Sequence, residues 1–255
     1  AQLGEDAVVL ARTAGPRHAS EIAERAEGCS TVIALGGDGV IHEAANGIMR
    51  RAIEDRPAFG IIPVGSGNDY ARALGISANV DEACAQLFKA EALPTDVGWA
   101  NGRWFVETLS FGLDAAIALD TVDRRVRTGR TGTVLYMEAG IDQGESEQGC
   151  SYAFAVQVGP FYGGGFEICP EAHLDDGLLD ACIAHPPLGT VRAVYLFLRA
   201  KGGKHTGFEQ IDMRRFRTLH VEFDEVPPAQ IDGERIEART FDVSVEPKAL
   251  NVLRP

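Results

Sequence analysis

Residues 31–49 read TVIALGGDGVIHEAANGIM. Thr31 to Leu35 is a short apolar run rich in β-branched side chains, which predicts a buried strand. Gly36, Gly37, Asp38 and Gly39 break the run, and Ile41, Ala44, Ala45 and Ile48 then recur at helical spacing. A glycine turn between a strand and a helix gathers backbone N–H groups and the positive end of a helix dipole at one point, where an anionic phosphate binds well. The turn carries Asp38 and lacks the lysine of GxxxxGK[ST]. A carboxylate in such a turn makes electrostatic sense when a divalent cation lies between it and the phosphate. The same four residues also fit an ordinary tight turn with a solvated Asp38.

The chain around this stretch has 255 residues, 45% of them hydrophobic, enough for one large domain or two small ones with a sizeable core. No apolar run approaches the ~20 residues of a membrane helix, and the N-terminus shows no basic region followed by an apolar core. These features predict a soluble globular protein without a signal peptide. Five cysteines, scattered and without a CxxC pair, suggest reduced thiols and a cytoplasmic location. A net charge of −13 opposes general nucleic-acid binding. It also opposes unspecific adhesion to anionic membranes, unless basic residues are concentrated locally.

Ala7 to Ala11 is a candidate strand and Ala19 to Ala26 a helix. Phe59 to Val64 forms another strand, followed by Gly65-Ser66-Gly67-Asn68-Asp69 and a short helix from Tyr70 to Leu74. Asp81 to Ala90 makes a further helix. Alternating strands and helices imply a parallel sheet, whose ligands sit at the carboxyl ends of the strands. Both glycine loops fall on that edge. Two such loops, one with Asp38 and one with Asn68 and Asp69, point to a polyphosphate site more specifically than either alone.

After Pro94 short β-rich runs take over, at 103–109, 151–158, 166–169 and 178–184. Leu219, Val221 and Phe223 alternate with polar residues, as do Phe241, Val243 and Val245, which predicts half-buried antiparallel strands and a sandwich. Two helical insertions interrupt this half. Ala115 to Arg127 leads into the basic cluster Arg124, Arg125, Arg127 and Arg130, which suits either a solvated helix end or a patch meeting lipid headgroups or phosphates. Thr190 to Ala200 carries apolar residues on most faces and precedes Lys201, Lys204 and His205.

GGDGVIHEAANGI at 36–48 followed by GIIPVGSGNDYARALGI at 60–76 resembles the diacylglycerol kinase catalytic-domain family, which includes bacterial lipid kinases and the sphingosine and ceramide kinases and is related to NAD kinases. FVETLSFGLD at 105–114, CPEAHLDDGLLD at 169–180 and QIDGE at 230–234 extend the likeness over nearly the whole chain. It implies an α/β plus all-β, NAD kinase-like two-domain fold. Residues 1–93 would be the nucleotide-binding domain and 94–245 a β-sandwich for the lipid acceptor. Residues 246–255 would return as a strand to the first domain.

The implied activity is an ATP- and Mg²⁺-dependent transfer of phosphate to a lipid hydroxyl, by default that of diacylglycerol. Gly36, Gly37, Asp38, Gly39, Val40 and His42 would line the nucleotide side, with Asp38 close to Mg²⁺. Thr13, Ser66, Gly67, Asn68 and Asp69 match further nucleotide contacts. Glu234 matches the catalytic base, with Asp232 as its rival. Asp176, with the carbonyls of His173 and Leu178, matches a structural Mg²⁺ site. The enzyme would meet its lipid peripherally at a membrane surface, with the arginine cluster as a candidate contact; a homodimer stays open.

Phosphoryl transfer rests on positioning and charge neutralisation, so cradling amides, a carboxylate-bound Mg²⁺ and a group that takes the hydroxyl proton suffice. By themselves, Asp232-Gly233 also reads as a plain hairpin turn, and Asp175-Asp176-Gly177 as another. The sequence departs from the family at Val40 and Ser66, each in place of threonine, and at His42 in place of asparagine. The family's further opening strand with its Asn-Pro loop is also not among these residues. Two other readings remain: an NAD kinase-like kinase of a soluble acceptor, and a non-catalytic nucleotide- or lipid-binding relative.

Overall fold

The computed structural model describes residues 8–112, 115, 135–142 and 147–255. Arg124, Arg125, Arg127 and Arg130 lie outside the described residues. The first half begins with helix α1 (His18–Glu24), strand β1 (Thr31–Gly36) and helix α2 (Asp38–Met49). Strand β2 (Ala58–Pro63) and the short helices α3 (Asp69–Ala73) and α4 (Val80–Leu87) follow. β1 and β2 pair in parallel, with Thr31 opposite Ala58 and Gly36 opposite Pro63. α2 buries the predicted face, Ile41, Ala44, Ala45 and Ile48, in the main core.

α1 crosses α2 at Gly47, where a Cβ would stand 2.2 Å from the Ser20 carbonyl oxygen. Glu43 fixes the same pair by accepting the N–H groups of Arg17 and Ala19 at 2.7 and 3.1 Å.

Two expectations are corrected. The strand expected over Ala7 to Ala11 is absent from its described part: residues 8–11 have no regular structure, and Val8, Val9 and Leu10 are exposed. Among the described residues no ladder reaches them, so local β-propensity finds no partner there for its N–H and C=O groups. β1 is also not buried on both faces. Among the described residues it is the edge strand of its sheet, covered by α2 on one side, and Ile33 and Leu35 are 51% and 61% exposed.

Pro94 lies inside strand β3 (Glu91–Ala100), which pairs with β4 (Arg103–Phe105). β5 (Thr108–Gly112), β6 (Leu135–Ile141), β7 (Glu147–Ser151) and β8 (Ala153–Gln157) come next. They are followed by the ribbon β9 (Phe161–Tyr162) and β10 (Phe166–Glu167), then β11 (Leu179–Ala184) and helix α5 (Thr190–Ala200). β12 (Ile211–Phe216), β13 (Thr218–Phe223), β14 (Ala229–Ile231), β15 (Glu234–Arg235) and β16 (Thr240–Arg254) complete the chain.

β16 joins the two halves. Its first part pairs antiparallel with β13, while Val252 near its end pairs in parallel with Phe59 of β2. The larger sheet therefore runs β1-β2-β16-β13-β6-β7, with β3 and β4 branching from β16. The second sheet runs β12-β11-β8-β5-β14-β15 and is antiparallel throughout.

The alternation read along β13 and β16 is realised: Leu219, Val221, Phe223, Phe241, Val243 and Val245 are buried. Phe111 of β5 meets Phe223 and Phe241 across the sandwich at centroid distances of 5.0 and 4.7 Å, and Phe154 beside it at 5.5 Å. This aromatic knot seals the two sheets together.

Candidate active site

The two glycine loops meet backbone to backbone. β1 and β2 deliver them in register, and the Val64 N–H donates to the Gly36 carbonyl at 3.0 Å. A Cβ on Gly65 would lie 2.5 Å from the Gly37 Cα, so only glycine permits this approach. Gly37 caps α2 without a side chain, which leaves the first-turn N–H groups free of a side-chain partner. A Cβ on Gly39 would meet nothing within 4 Å, so open space adjoins these donors. This is the environment a phosphate group requires.

Asp38 is turned toward the second loop. Its Oδ2 accepts the Asn68 N–H at 2.9 Å and its Oδ1 the Asp69 N–H at 3.1 Å, so it ties the start of α3 to α2. Gly67 leaves room for that carboxylate, since a Cβ there would come within 2.6 Å of Asp38 Oδ2. Asn68, at φ 55°, closes its own loop with Oδ1 accepting the Gly65 N–H and Nδ2 donating to the Gly65 carbonyl. Ser66 stands exposed at the tip. The Val40 side chain packs over Gly36 and the edge of the core, which is why an aliphatic residue is accommodated there.

Asp69 reaches the other half of the protein. Its carboxylate accepts the N–H groups of Gly164 and Gly165, in the turn between β9 and β10, at 2.6 and 2.7 Å. Arg72 donates to it at 2.9 Å and lies over the Phe161 ring. Burial pushes the Asp69 carboxyl above its ordinary value, against the pull of the two glycine N–H groups.

The turn Asp232-Gly233 has φ of 45° and 86°, the pattern of a tight two-residue hairpin. It places Glu234 opposite Ile231. Asp232 is buried, and its oxygens accept the N–H groups of Val106, Glu107 and Thr108 at 2.9, 3.1 and 2.8 Å. His42 Nδ1 lies 2.8 Å from Asp232 Oδ2. Burial opposes a proton on His42, but the hydrogen bond and charge of Asp232 outweigh it and raise the imidazole above its ordinary value. His42 is therefore a buried brace between α2 and the hairpin. Glu234 is half-exposed and lies 3.8 Å from the Arg103 guanidinium.

Glu107 stood in the sequence as part of a motif without an assigned role. It is buried, and its Oε1 has no hydrogen-bond partner among the described residues. Burial pushes its carboxyl well above the ordinary value, with Asp232, Asp38 and Asp69 adding to the effect and Asp38 in hydrogen-bonding reach. An acid inside the apolar run FVETLSF was the visible signal.

Two expected positions stand apart. Thr13 is exposed in the irregular segment before α1 and makes no hydrogen bond to either glycine loop among the described residues. Asp176 accepts the Leu178 N–H at 3.0 Å and is paired with Arg215, and His173 is exposed. Among the described residues no three metal-ligating side chains converge.

A parallel sheet edge with paired glycine loops is set against an antiparallel sandwich, an architecture that suits binding of a phosphate-bearing ligand. Residues 2–100 match the family described as diacylglycerol kinase catalytic domain. Residues 103–254 match that described as YegS C-terminal NAD kinase beta sandwich-like domain. A Pseudomonas aeruginosa protein named "Probable lipid kinase YegS-like" is 33% identical over 90% of this chain and 78% of its own length. The Bacillus subtilis "Diacylglycerol kinase" is 29% identical over 80% of this chain and 70% of its own. A crystal structure of a Bacillus anthracis diacylglycerol kinase superposes with a TM-score of 0.78 at 23% identity, covering 95% of this chain and 83% of that one, and supports the fold. The chain belongs to the diacylglycerol kinase-like family of lipid kinases.

Proposed function

We propose that this lipid kinase transfers the γ-phosphate of Mg²⁺-bound ATP to the free hydroxyl group of diacylglycerol, giving phosphatidic acid. The observation that carries the reading is the brace between the two halves. Asp232 holds His42 of α2 and three N–H groups of the β4–β5 connection, so the Glu234 turn is fixed relative to the helix that begins at Asp38. Phosphate donors and a candidate base thus belong to one rigid frame.

The residues present suit ATP and Mg²⁺. The uncapped N–H groups of α2 and the open space at Gly39 fit the phosphates. Asp38, in the first turn of α2 beside Gly39, would be the carboxylate nearest the bound cation. Mg²⁺ is commonly held by one or two carboxylates plus substrate phosphates. The bound cation would neutralise charge on the transferred phosphoryl group. Glu234 would accept the hydroxyl proton as the oxygen attacks phosphorus, and ADP would leave with the β-phosphate oxygen.

The test is transfer of labelled γ-phosphate to diacylglycerol, ceramide, sphingosine or NAD, with and without Mg²⁺, in wild type and Glu234→Ala. Labelled phosphatidic acid that disappears in the variant is expected. Labelled NAD phosphate would transfer the reading to a soluble acceptor, and ATP binding without any product would make the chain a non-catalytic relative.

A further inference from the structure

α5 carries most of its large apolar side chains on the side away from the protein. Inward it offers a narrow strip, with Leu196 and Ala200 buried and Ala193 partly so. Val191, Val194, Tyr195 and Leu198, at the i, i+3, i+4 and i+7 positions of one stripe, are 87%, 55%, 50% and 65% exposed. Phe197 is exposed beside them. A contiguous apolar stripe of this kind, unlike scattered single residues, marks a binding surface.

The charge around the stripe identifies what binds. α5 contains no acidic residue, although the chain as a whole carries a net charge of −13. Arg192, Lys201 and Lys204 are exposed along and beyond the helix, and Arg199 is partly exposed. A helix with an apolar face edged by cations lies flat in a bilayer interface, its face among the acyl chains and its cations at phosphate headgroups. For so acidic a protein, local cations are what bring it to an anionic surface. A specific protein partner would call for hydrogen-bonding groups within the stripe, where only the Tyr195 hydroxyl is available.

The helix is also mechanically joined to the active site. The Phe197 ring lies 4.5 Å from that of Phe166 in β10. The turn between β9 and β10 is held by Asp69 through Gly164 and Gly165. Gln230 donates to the Tyr162 hydroxyl of β9 at 3.2 Å and accepts the Gly233 N–H in the Glu234 turn at 2.6 Å. One two-stranded ribbon therefore connects α5 with the phosphate loops and with the candidate base.

We propose that α5 is the membrane-docking element of this kinase, lying in the plane of an anionic bilayer so that the acceptor lipid is taken directly from it. This rests on the lipid-kinase reading of the site, but its test does not depend on turnover. The purified chain is floated with vesicles of phosphatidylcholine alone and of phosphatidylcholine with phosphatidylglycerol. Wild type should float with the anionic vesicles, and less so at high salt. Val191→Glu/Leu198→Glu should lower the bound fraction about tenfold or more while its melting temperature is retained. Val226→Glu, at a 60% exposed valine outside α5, should bind as wild type.

Tyr195→Trp should show a blue-shifted emission on vesicles, quenched by brominated acyl chains. No flotation of wild type, or equal flotation of the double variant, would overturn the proposal. So would a dimer that the double variant turns into monomer, because the stripe would then belong to a second copy. Turnover of a water-soluble short-chain diacylglycerol reports separately on the kinase reading: its absence with intact flotation would sink that reading and leave the docking surface standing.

Discussion

Asp232 and His42, distant in sequence, meet through Oδ2 and Nδ1 at 2.8 Å in the buried seam between α2 and the hairpin that carries Glu234. Both are almost fully enclosed, at 5% and 4% exposure. The contact separates two acids two residues apart in sequence. Asp232 holds a histidine and three backbone N–H groups with its oxygens, while Glu234 stays half-exposed and pairs with Arg103.

That separation predicts different failures for the two acids. Glu234→Gln should fold normally and lose about a hundredfold or more in kcat, the usual contribution of a general base. Asp232→Ala leaves buried donors unpaired and should cost about 2–4 kcal/mol of stability. Urea unfolding beside steady-state kinetics distinguishes them; an Asp232→Ala protein of full stability but without activity would make Asp232 the base.

Asp38→Ala should abolish Mg²⁺-dependent transfer, with a loss of about a hundredfold or more expected for removal of a charge-positioning group. It also removes the acceptor for the N–H groups of Asn68 and Asp69, so nucleotide affinity should fall as the second loop loosens. Isothermal titration with ATP and a turnover assay check the two effects. Retained activity would remove Asp38 from the mechanism.

His42 binds its proton more tightly when folded than its ordinary value of 6.5 would indicate, because Asp232 favours the charged ring more than burial opposes it. Its contribution to stability is therefore fully present below the unfolded value and is lost as pH rises through the higher folded value. The stability gap between wild type and His42→Gln should shrink with rising pH over this range. Chemical denaturation at a series of pH values measures it, and an NMR titration of the imidazole should place its midpoint above the ordinary value.

Gly47→Ala should destabilise the protein by about 1–3 kcal/mol, because its methyl group would press on the Ser20 carbonyl where α1 crosses α2. Phe111→Ala, in the aromatic knot between the sheets, should cost about 3–5 kcal/mol. Thermal and urea melts provide both values. An unchanged melting temperature for Gly47→Ala would mean that the helices separate at little cost.

Asp176 is engaged with Arg215, which also pairs with the buried Asp180 at 3.1 Å. A structural cation at Asp176 would have to compete with that guanidinium. Arg215→Ala should therefore increase Mn²⁺ binding near Asp176 while lowering stability, since Asp180 loses its partner. Anomalous scattering from Mn²⁺-soaked crystals of both forms tests this. Equal strong occupancy in wild type would show that arginine and cation coexist.

Much of the framework was local and could be read directly. The β1–turn–α2 unit, the β2 loop with α3, and the alternation along β13 and β16 follow from periods of two and 3.6 residues and from where glycines fall. Those signals also sufficed to place both glycine loops on one sheet edge. What the sequence could not decide was long-range pairing. Val8 to Leu10 has strand character but no ladder to join among the described residues, and β1 reads as fully buried although Ile33 and Leu35 are exposed.

The division of labour among the acids had the same origin. Asp69 clamps the β9–β10 turn, Glu107 sits buried beside Asp38, and Asp232 braces His42, each through contacts between residues far apart in the chain. A carboxylate's role depends on which N–H groups and charges surround it and on how far water is excluded, and these are supplied by residues remote in the chain. The sequence determined which chemistry was on hand; the tertiary structure decided which acid stays accessible and which is spent on holding the site together.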